Sequence, residues 1–286
     1  MRMRTRLPLL VIGIAAMLTV ASATCARAYG SPGGPESPPA ASFDGLATRI
    51  AQAIDDAATK GATISVAVLD RATGQQLAGG NDQLVAIASV AKLFIADDLL
   101  AQDSDAPLSS TDRQALDSML RSSDDGAAET FWAARGRDAI INGVAGRYGL
   151  ASTTAPSDGQ WWNTMSSASD LVRYYDMLLD GAGGLAGDRA QIIVDDLTGS
   201  TAAGTDGYPQ RFGIPDGLYG EPVAVKQGWM CCMDGGSWMH LSTGIIGADR
   251  RYVMVIESLQ PADDATARDT ITQAVKTMFP SGRIGA

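Results

Sequence analysis

The stretch Ala88-Ser89-Val90-Ala91-Lys92-Leu93-Phe94-Ile95-Ala96-Asp97-Asp98-Leu99-Leu100 decides how the rest of the chain is read. Its pattern predicts a helix with a serine in its first turn and a lysine three residues on. Positions i and i+3 share one helix face, so the Ser89 hydroxyl and the Lys92 amine can meet. A helix N-terminus also presents unpaired N–H groups and a partial positive charge, which stabilise a developing oxyanion. A serine nucleophile whose base is lysine needs this geometry. Many helices hold one Ser-x-x-Lys by chance, so its meaning depends on partners elsewhere.

The 286-residue chain is long enough for one large domain or two lobes sharing a core. Its formal net charge of −10, with no basic patch to offset it, argues against nucleic-acid binding. The N-terminus reads as a targeting segment, residues 1–28. Arg2, Arg4 and Arg6 precede an apolar run from Leu7 to Val20 that is too short for a membrane span. Ala26-Arg27-Ala28 fits a small-x-small cleavage site, with Tyr29 as the mature start. A rival reading makes Cys25 a lipid-modified N-terminus, although Ser22-Ala23-Thr24 before it is a poor lipobox. Both readings place the protein outside the cytoplasm, secreted or at the cell envelope. Residues 29–42 are a Pro/Gly/Ser linker.

Export bears on the cysteines. Cleavage after Ala28 leaves Cys231 and Cys232, which are adjacent and cannot staple distant parts of a fold. They either form a vicinal disulfide in an oxidising compartment or remain thiols on opposite faces of a strand. No metal-ligand spacing is present, and no cofactor is expected. The one histidine, His240, lies in a strand-like run and reads as a buried, hydrogen-bonded side chain rather than a catalytic base. Lysine is scarce: Lys60, Lys92, Lys226 and Lys276 stand among 22 basic residues. Burial or a neighbouring cation can turn a lysine, but not an arginine, into a base.

Residues 43–58 show helical periodicity through Leu46, Ile50 and Ile54. Residues 62–70 and 75–78 read as a hairpin around Arg71-Ala72-Thr73-Gly74. Helices are expected after Ser89, over 112–121 with Ser110 or Thr111 as cap, over 127–134, 137–148, 170–180 with Ser169 as cap, and 189–197. Residues 149–166 form a polar loop whose Trp161 and Trp162 either line a cleft or pack beneath the loop. Strands at 223–229, 237–246 and 251–258 precede a closing helix over 265–278. This order predicts an α+β fold: an antiparallel sheet flanked by helices, built from both chain ends, with an all-helical lobe inserted. The α/β lobe would span 43–85 and 205–280, and the helical lobe 86–204, within one domain over 43–286.

Three short motifs now stand in order: Ser89-Val90-Ala91-Lys92, Ser123-Asp124-Asp125 running into a helix, and Lys226-Gln227-Gly228 on a strand. Together they resemble the Ser-x-x-Lys, Ser-Asp-Asn and Lys-Thr-Gly set of class A β-lactamases and penicillin-binding proteins. The resemblance implies the β-lactamase/transpeptidase-like fold over roughly residues 43–279. It implies Ser89 as the acylated nucleophile, Lys92 as its base or a proton relay, Ser123 as a proton carrier towards the leaving group, and Lys226 as a source of local field that helps hold a substrate carboxylate. The Ser89 and Trp229 backbone N–H groups would form the oxyanion hole. Asp125, Gln227 and Gly228 would face substrate.

The departures matter too. Asp125 replaces an asparagine that binds the substrate amide, and an ionised carboxylate only accepts hydrogen bonds. Gln227 replaces a threonine or serine hydroxyl that contacts a substrate carboxylate. Between Asp138 and Asp170 the only acidic residue is Asp158, with no glutamate to activate a deacylating water. Two readings follow. One is a serine hydrolase that forms an acyl-enzyme on Ser89 with a β-lactam or a D-alanyl-peptide-like amide or ester, and deacylates weakly. The other is a catalytically silent module of the same fold that recognises a cell-wall peptide or protein. Either partner is a small molecule or peptide, and the chain is expected to be a monomer.

Overall fold

The structure is a computed structural model that describes residues 43–102, 107–233 and 235–284. The expected leader (1–28), Cys25 and the linker (29–42) lie outside the described residues.

In chain order the elements are α1 (Leu46–Ala58), β1 (Thr63–Asp70), β2 (Gln75–Gly79), β3 (Val85–Ala86), a 3-10 turn (Ala88–Ala91) and α2 (Lys92–Gln102). Then follow α3 (Ser110–Arg121), α4 (Asp125–Ala134), α5 (Asp138–Tyr148), a 3-10 turn (Trp161–Asn163), β4 (Met165–Ser166), α6 (Ala168–Asp180) and α7 (Gly187–Thr198). The chain closes with α8 (Ile214–Gly217), β5 (Val223–Met233), β6 (Ser237–Ile246), β7 (Tyr252–Gln260) and α9 (Asp264–Met278).

Five strands form an antiparallel sheet in the order β2-β1-β7-β6-β5, so both chain ends build it, as the element order predicts. Central β7 is buried on both faces. Met254 and Ile256 pack with Leu46 and Ile50 of α1 and Ile271 and Val275 of α9. Val253 and Val255 point the other way, towards Leu93 and Phe94 of α2 and Tyr174 and Leu178 of α6. That two-sided burial explains a strand sequence that is apolar almost throughout. Helices α2 to α7 contribute to the core on this second face.

Helix α1 is one-sided: Leu46, Ile50, Ala53 and Ala57 recur at helical spacing on its buried face. Helix α2 differs, because Lys92 through Leu100 are all buried. It is the central helix of its layer, so its first residue is held on every side. The deeper of its two buried carboxylates, Asp97, accepts from Arg147 and from the Tyr148 hydroxyl, both at 2.5 Å.

Two capping expectations need correction. Ser109, not Ser110 or Thr111, caps α3 by accepting the Asp112 N–H at 3.0 Å. Ser167, not Ser169, caps α6 by accepting the Asp170 N–H at 3.3 Å. In each case the expected serine already lies inside the helix, because the first N–H that a cap can reach lies two or three residues on.

Glu257 of β7 is fully buried opposite Ser65, and burial pushes its carboxyl up to about 8 from 4.5. The folded state therefore keeps this proton where the unfolded chain has lost it. Its contribution to stability falls with rising pH across that interval, by about 1.4 kcal/mol per pH unit. The urea midpoint of wild type should consequently fall more between pH 5 and 8 than that of Glu257→Gln. Parallel pH dependences in the two proteins would contradict this.

Candidate active site

Ser89 sits in the 3-10 turn just before α2, and Lys92 is the first residue of α2. The nucleophile candidate thus stands just ahead of the α-helix, not inside it. Ala88, immediately before it, has φ +48°, as Ser123 has φ +55° at the entry to α4. Side chains other than glycine rarely hold this region, at a cost of roughly 1–3 kcal/mol each. Both lie beside the candidate catalytic groups, where packing from several elements over-determines them. One such contact is Gly228 on β5: a Cβ there would lie 2.6 Å from the Ile87 carbonyl and 3.5 Å from the Ala88 Cβ. Glycine is what lets this edge strand run against the serine turn.

Five side chains from three sequence motifs converge. Lys92 Nζ lies 2.9 Å from Ser89 Oγ, 3.0 Å from Ser123 Oγ, 2.7 Å from the Ser123 carbonyl and 2.6 Å from Asp125 Oδ1. An ammonium has three N–H donors, so these four acceptors compete. Lys226 Nζ reaches the same Ser123 Oγ at 2.9 Å. Ser123 therefore bridges two buried lysines.

Burial pushes Lys92 below the ordinary lysine range, while the Asp125 carboxylate opposes that shift. Lys226 goes well below it, first through burial and then through repulsion from Lys92. Two ammonium groups sharing one hydroxyl away from water favour loss of one proton, and a neutral lysine can accept a serine proton.

Ser89 opens onto a cavity of about 260 Å³ lined by Ala88, Ser89, Asp125, Trp161, Trp162, Asp206, Trp229 and Met230. Trp229, the second expected oxyanion residue, thus lines the same cavity as Ser89. Both tryptophans of the 149–166 loop line it too, their rings edge to face at 5.2 Å. Trp161 is buried beneath the loop as well, with Lys92 Nζ 4.9 Å from its ring centre. The two roles the sequence leaves open for it are both occupied.

Gln227 is a correction. Its side chain is buried on the opposite face of β5, and Nε2 donates to the Gln210 and Phe212 carbonyls at 3.0 and 2.7 Å. It is not among the cavity-lining residues and does not replace a hydroxyl that meets substrate. Gly228 is likewise a close-packing residue, not a wall of the cavity.

Asp206 is the residue that sequence reading missed. It comes from the loop after α7, and its Oδ1 accepts the Tyr208 N–H at 2.9 Å. No local pattern marks it; only the tertiary fold brings it to the same cavity as Asp125. Tyr208 stacks flat on Trp229, with ring centres 4.3 Å apart and planes 6° apart. Its hydroxyl bonds to Asp264 and lies 2.8 Å from His240 Nε2. His240 is buried and hydrogen-bonded as expected, and burial pushes it down to about 4. Asp158 is tied into its own loop by the Gln160 N–H and the Asn163 amide. Cys231 and Cys232 are joined as a vicinal disulfide beyond Met230, which resolves the pair of options left open by the sequence. Among the described residues no His/Cys/Asp/Glu group is arranged to hold a metal, and no helix is long and apolar enough to cross a membrane.

Such a fold and such a cluster define a serine β-lactamase/transpeptidase type of protein. The model of the beta-lactamase enzyme family matches residues 45–279, and the chain belongs to that family. It is 67% identical over 260 residues to the "Putative lipoprotein LppW" of Mycobacterium tuberculosis and to that of Mycobacterium bovis, a match covering 90% of this chain and 82% of theirs. Similar solved structures include PBP-A (18% identical, TM-score 0.67, covering 84% of this chain and 96% of that one). Others are the TLA-3 extended-spectrum β-lactamase (15%, 0.66, 84% and 98%) and a β-lactamase from Chitinophaga pinensis (14%, 0.65, 84% and 100%). At these identities the structures establish the fold alone.

With four lysines in the chain, a lysine-selective NMR titration resolves each side chain. Lys92 and Lys226 should titrate below the ordinary value of 10.5. Asp125→Asn should move Lys92 further down, because the carboxylate that favours its charge is removed. An upward movement of Lys92 would contradict the ion pair at this position.

Proposed function

We propose that the protein is a serine hydrolase that forms an acyl-enzyme on Ser89 from an amide or ester of the β-lactam or D-alanyl-peptide type. The observation that carries this reading is the 2.9 Å contact between Ser89 Oγ and the buried Lys92 Nζ, with Ser123 bridging to Lys226. In the proposed step, neutral Lys92 takes the Ser89 proton as Oγ bonds to the substrate carbonyl carbon. The carbonyl oxygen becomes an oxyanion, held by the Ser89 and Trp229 N–H groups. The bond to the leaving nitrogen or oxygen breaks as Ser123 delivers a proton to it, replenished from Lys92. Lys226 contributes positive field when charged.

Hydrolysis of the acyl-enzyme is proposed to be slow. Asp158, the single acidic residue between Asp138 and Asp170, is engaged inside its own loop instead of at the cavity. The second reading, a silent binding module, is favoured by one observation: Asp125 pairs with Lys92 at 2.6 Å and opposes its neutral form. A cell-envelope location is proposed with it. The relatives' description as lipoproteins favours attachment through Cys25 over free release after Ala28.

Incubation with a fluorescent penicillin, followed by intact-mass analysis over time, tests this. Wild type should gain one adduct, mapped to Ser89, that decays slowly. Ser89→Ala should gain none, and Lys92→Ala should acylate roughly 10²–10⁴-fold more slowly. A folded wild type that never forms the adduct under conditions that label PBP-A would favour the binding module.

A further inference from the structure

Among the described residues, the cavity beside Ser89 carries exposed charge of one sign only. Lys92 and Lys226 are buried behind it, whereas the Asp125 side chain is 72% exposed and Asp206 is exposed on its own loop. No arginine is among the residues that line it. Two of its other lining residues, Trp161 and Trp162, carry indole rings. Carboxylates combined with indole faces make the environment that ammonium groups bind best, by charge pairing and by attraction to the ring quadrupole. The protein already seats one cation this way, since Lys92 Nζ stands over Trp161.

Two further features point to a ligand. Trp161 is 3% exposed, lines the cavity, and its indole N–H has no acceptor among the described residues. A ligand with an amide carbonyl near its cation supplies one. And Gln227, where the family has a hydroxyl for a substrate carboxylate, is turned to the other face of β5. The site therefore carries carboxylates suited to a cation and lacks, at Gln227, the family's hydroxyl for an anion.

We propose that the acyl group accepted by Ser89 bears an ammonium, seated between Asp125 and Asp206 against the tryptophans. This rests on the acyl-enzyme reading and specifies its substrate class. It also gives Asp125 a working role. In the free protein Asp125 favours the charged form of Lys92. A bound ammonium satisfies Asp125 and places a second positive charge near Lys92, and both changes favour the neutral amine. A substrate of this charge thereby releases its own base, and an anionic substrate does the reverse.

Ampicillin, benzylpenicillin and carbenicillin share one reacting nucleus and carry a positive, neutral and negative side-chain group respectively. Their second-order acylation rates, read by intact mass on the purified protein, isolate the effect of that charge. Ampicillin should acylate at least about tenfold faster than carbenicillin, with benzylpenicillin between. The ratio should shrink as salt rises from roughly 0.05 to roughly 0.5 M. It should approach unity in the Asp125→Asn, Asp206→Asn double variant. The carboxamide that Asp206→Asn introduces still offers an oxygen to the Tyr208 N–H, and a circular dichroism spectrum matching wild type confirms folding. Any effect of Asp125→Asn on Lys92 itself acts on all three compounds and cancels in the ratio. Equal rates, or a faster carbenicillin, would overturn the proposal while leaving acylation at Ser89 intact. No adduct from any of the three would remove the acyl-enzyme reading, and the proposal with it.

Discussion

The arrangement depends on two lysines held out of water around one serine hydroxyl. Burying an ammonium is unfavourable unless it is paired or loses its proton. Here Lys92 has Asp125 as its partner, and Lys226 has Ser123 and the Gln227 carbonyl. One carboxylate in direct contact for two amines favours loss of a proton from the pair, and burial lowers both lysines. The neighbourhood is consistent with it: α2 is buried along nearly its whole length, Ala88 and Ser123 adopt left-handed backbone, and Gly228 admits β5 against the serine turn.

Asp125 sets the balance of this cluster. An asparagine at its place would hold Lys92 by dipole alone, whereas the carboxylate holds it by charge. The penalty for the base function is real, because ionised Asp125 raises the Lys92 pKa. It need not be permanent. Asp125 is largely exposed, so its field can be claimed by something entering from solvent, and Asp206 with the tryptophans frames where that would sit.

Much of the cluster was legible because its chemistry is local. Ser89 and Lys92 are an i, i+3 pair, Ser123 precedes a helix, and Lys226 lies on a strand of clear alternation. The α+β order of elements was legible from the same periodicities. Gln227 shows where motif matching misleads and elementary geometry would not: side chains alternate along a strand, so if Lys226 faces the site, Gln227 faces away. Asp206 was invisible for another reason. It lies 81 positions from Asp125, in a loop with no periodicity, and only the packing of Tyr208 on Trp229 carries it to the cavity. The caps at Ser109 and Ser167 were misplaced because serine is frequent around these helix starts and composition alone does not choose among neighbours.

Everything proposed for the site turns on Lys92, its pKa lowered by burial, being the base for Ser89. The most direct test is the pH dependence of Ser89 phosphonylation by an uncharged fluorophosphonate, which removes substrate charge from the comparison. The rate should rise along a single limb whose midpoint lies below the ordinary lysine value of 10.5, and Asp125→Asn should move that midpoint lower. A midpoint at the ordinary lysine value, or one that ignores Asp125, would contradict it.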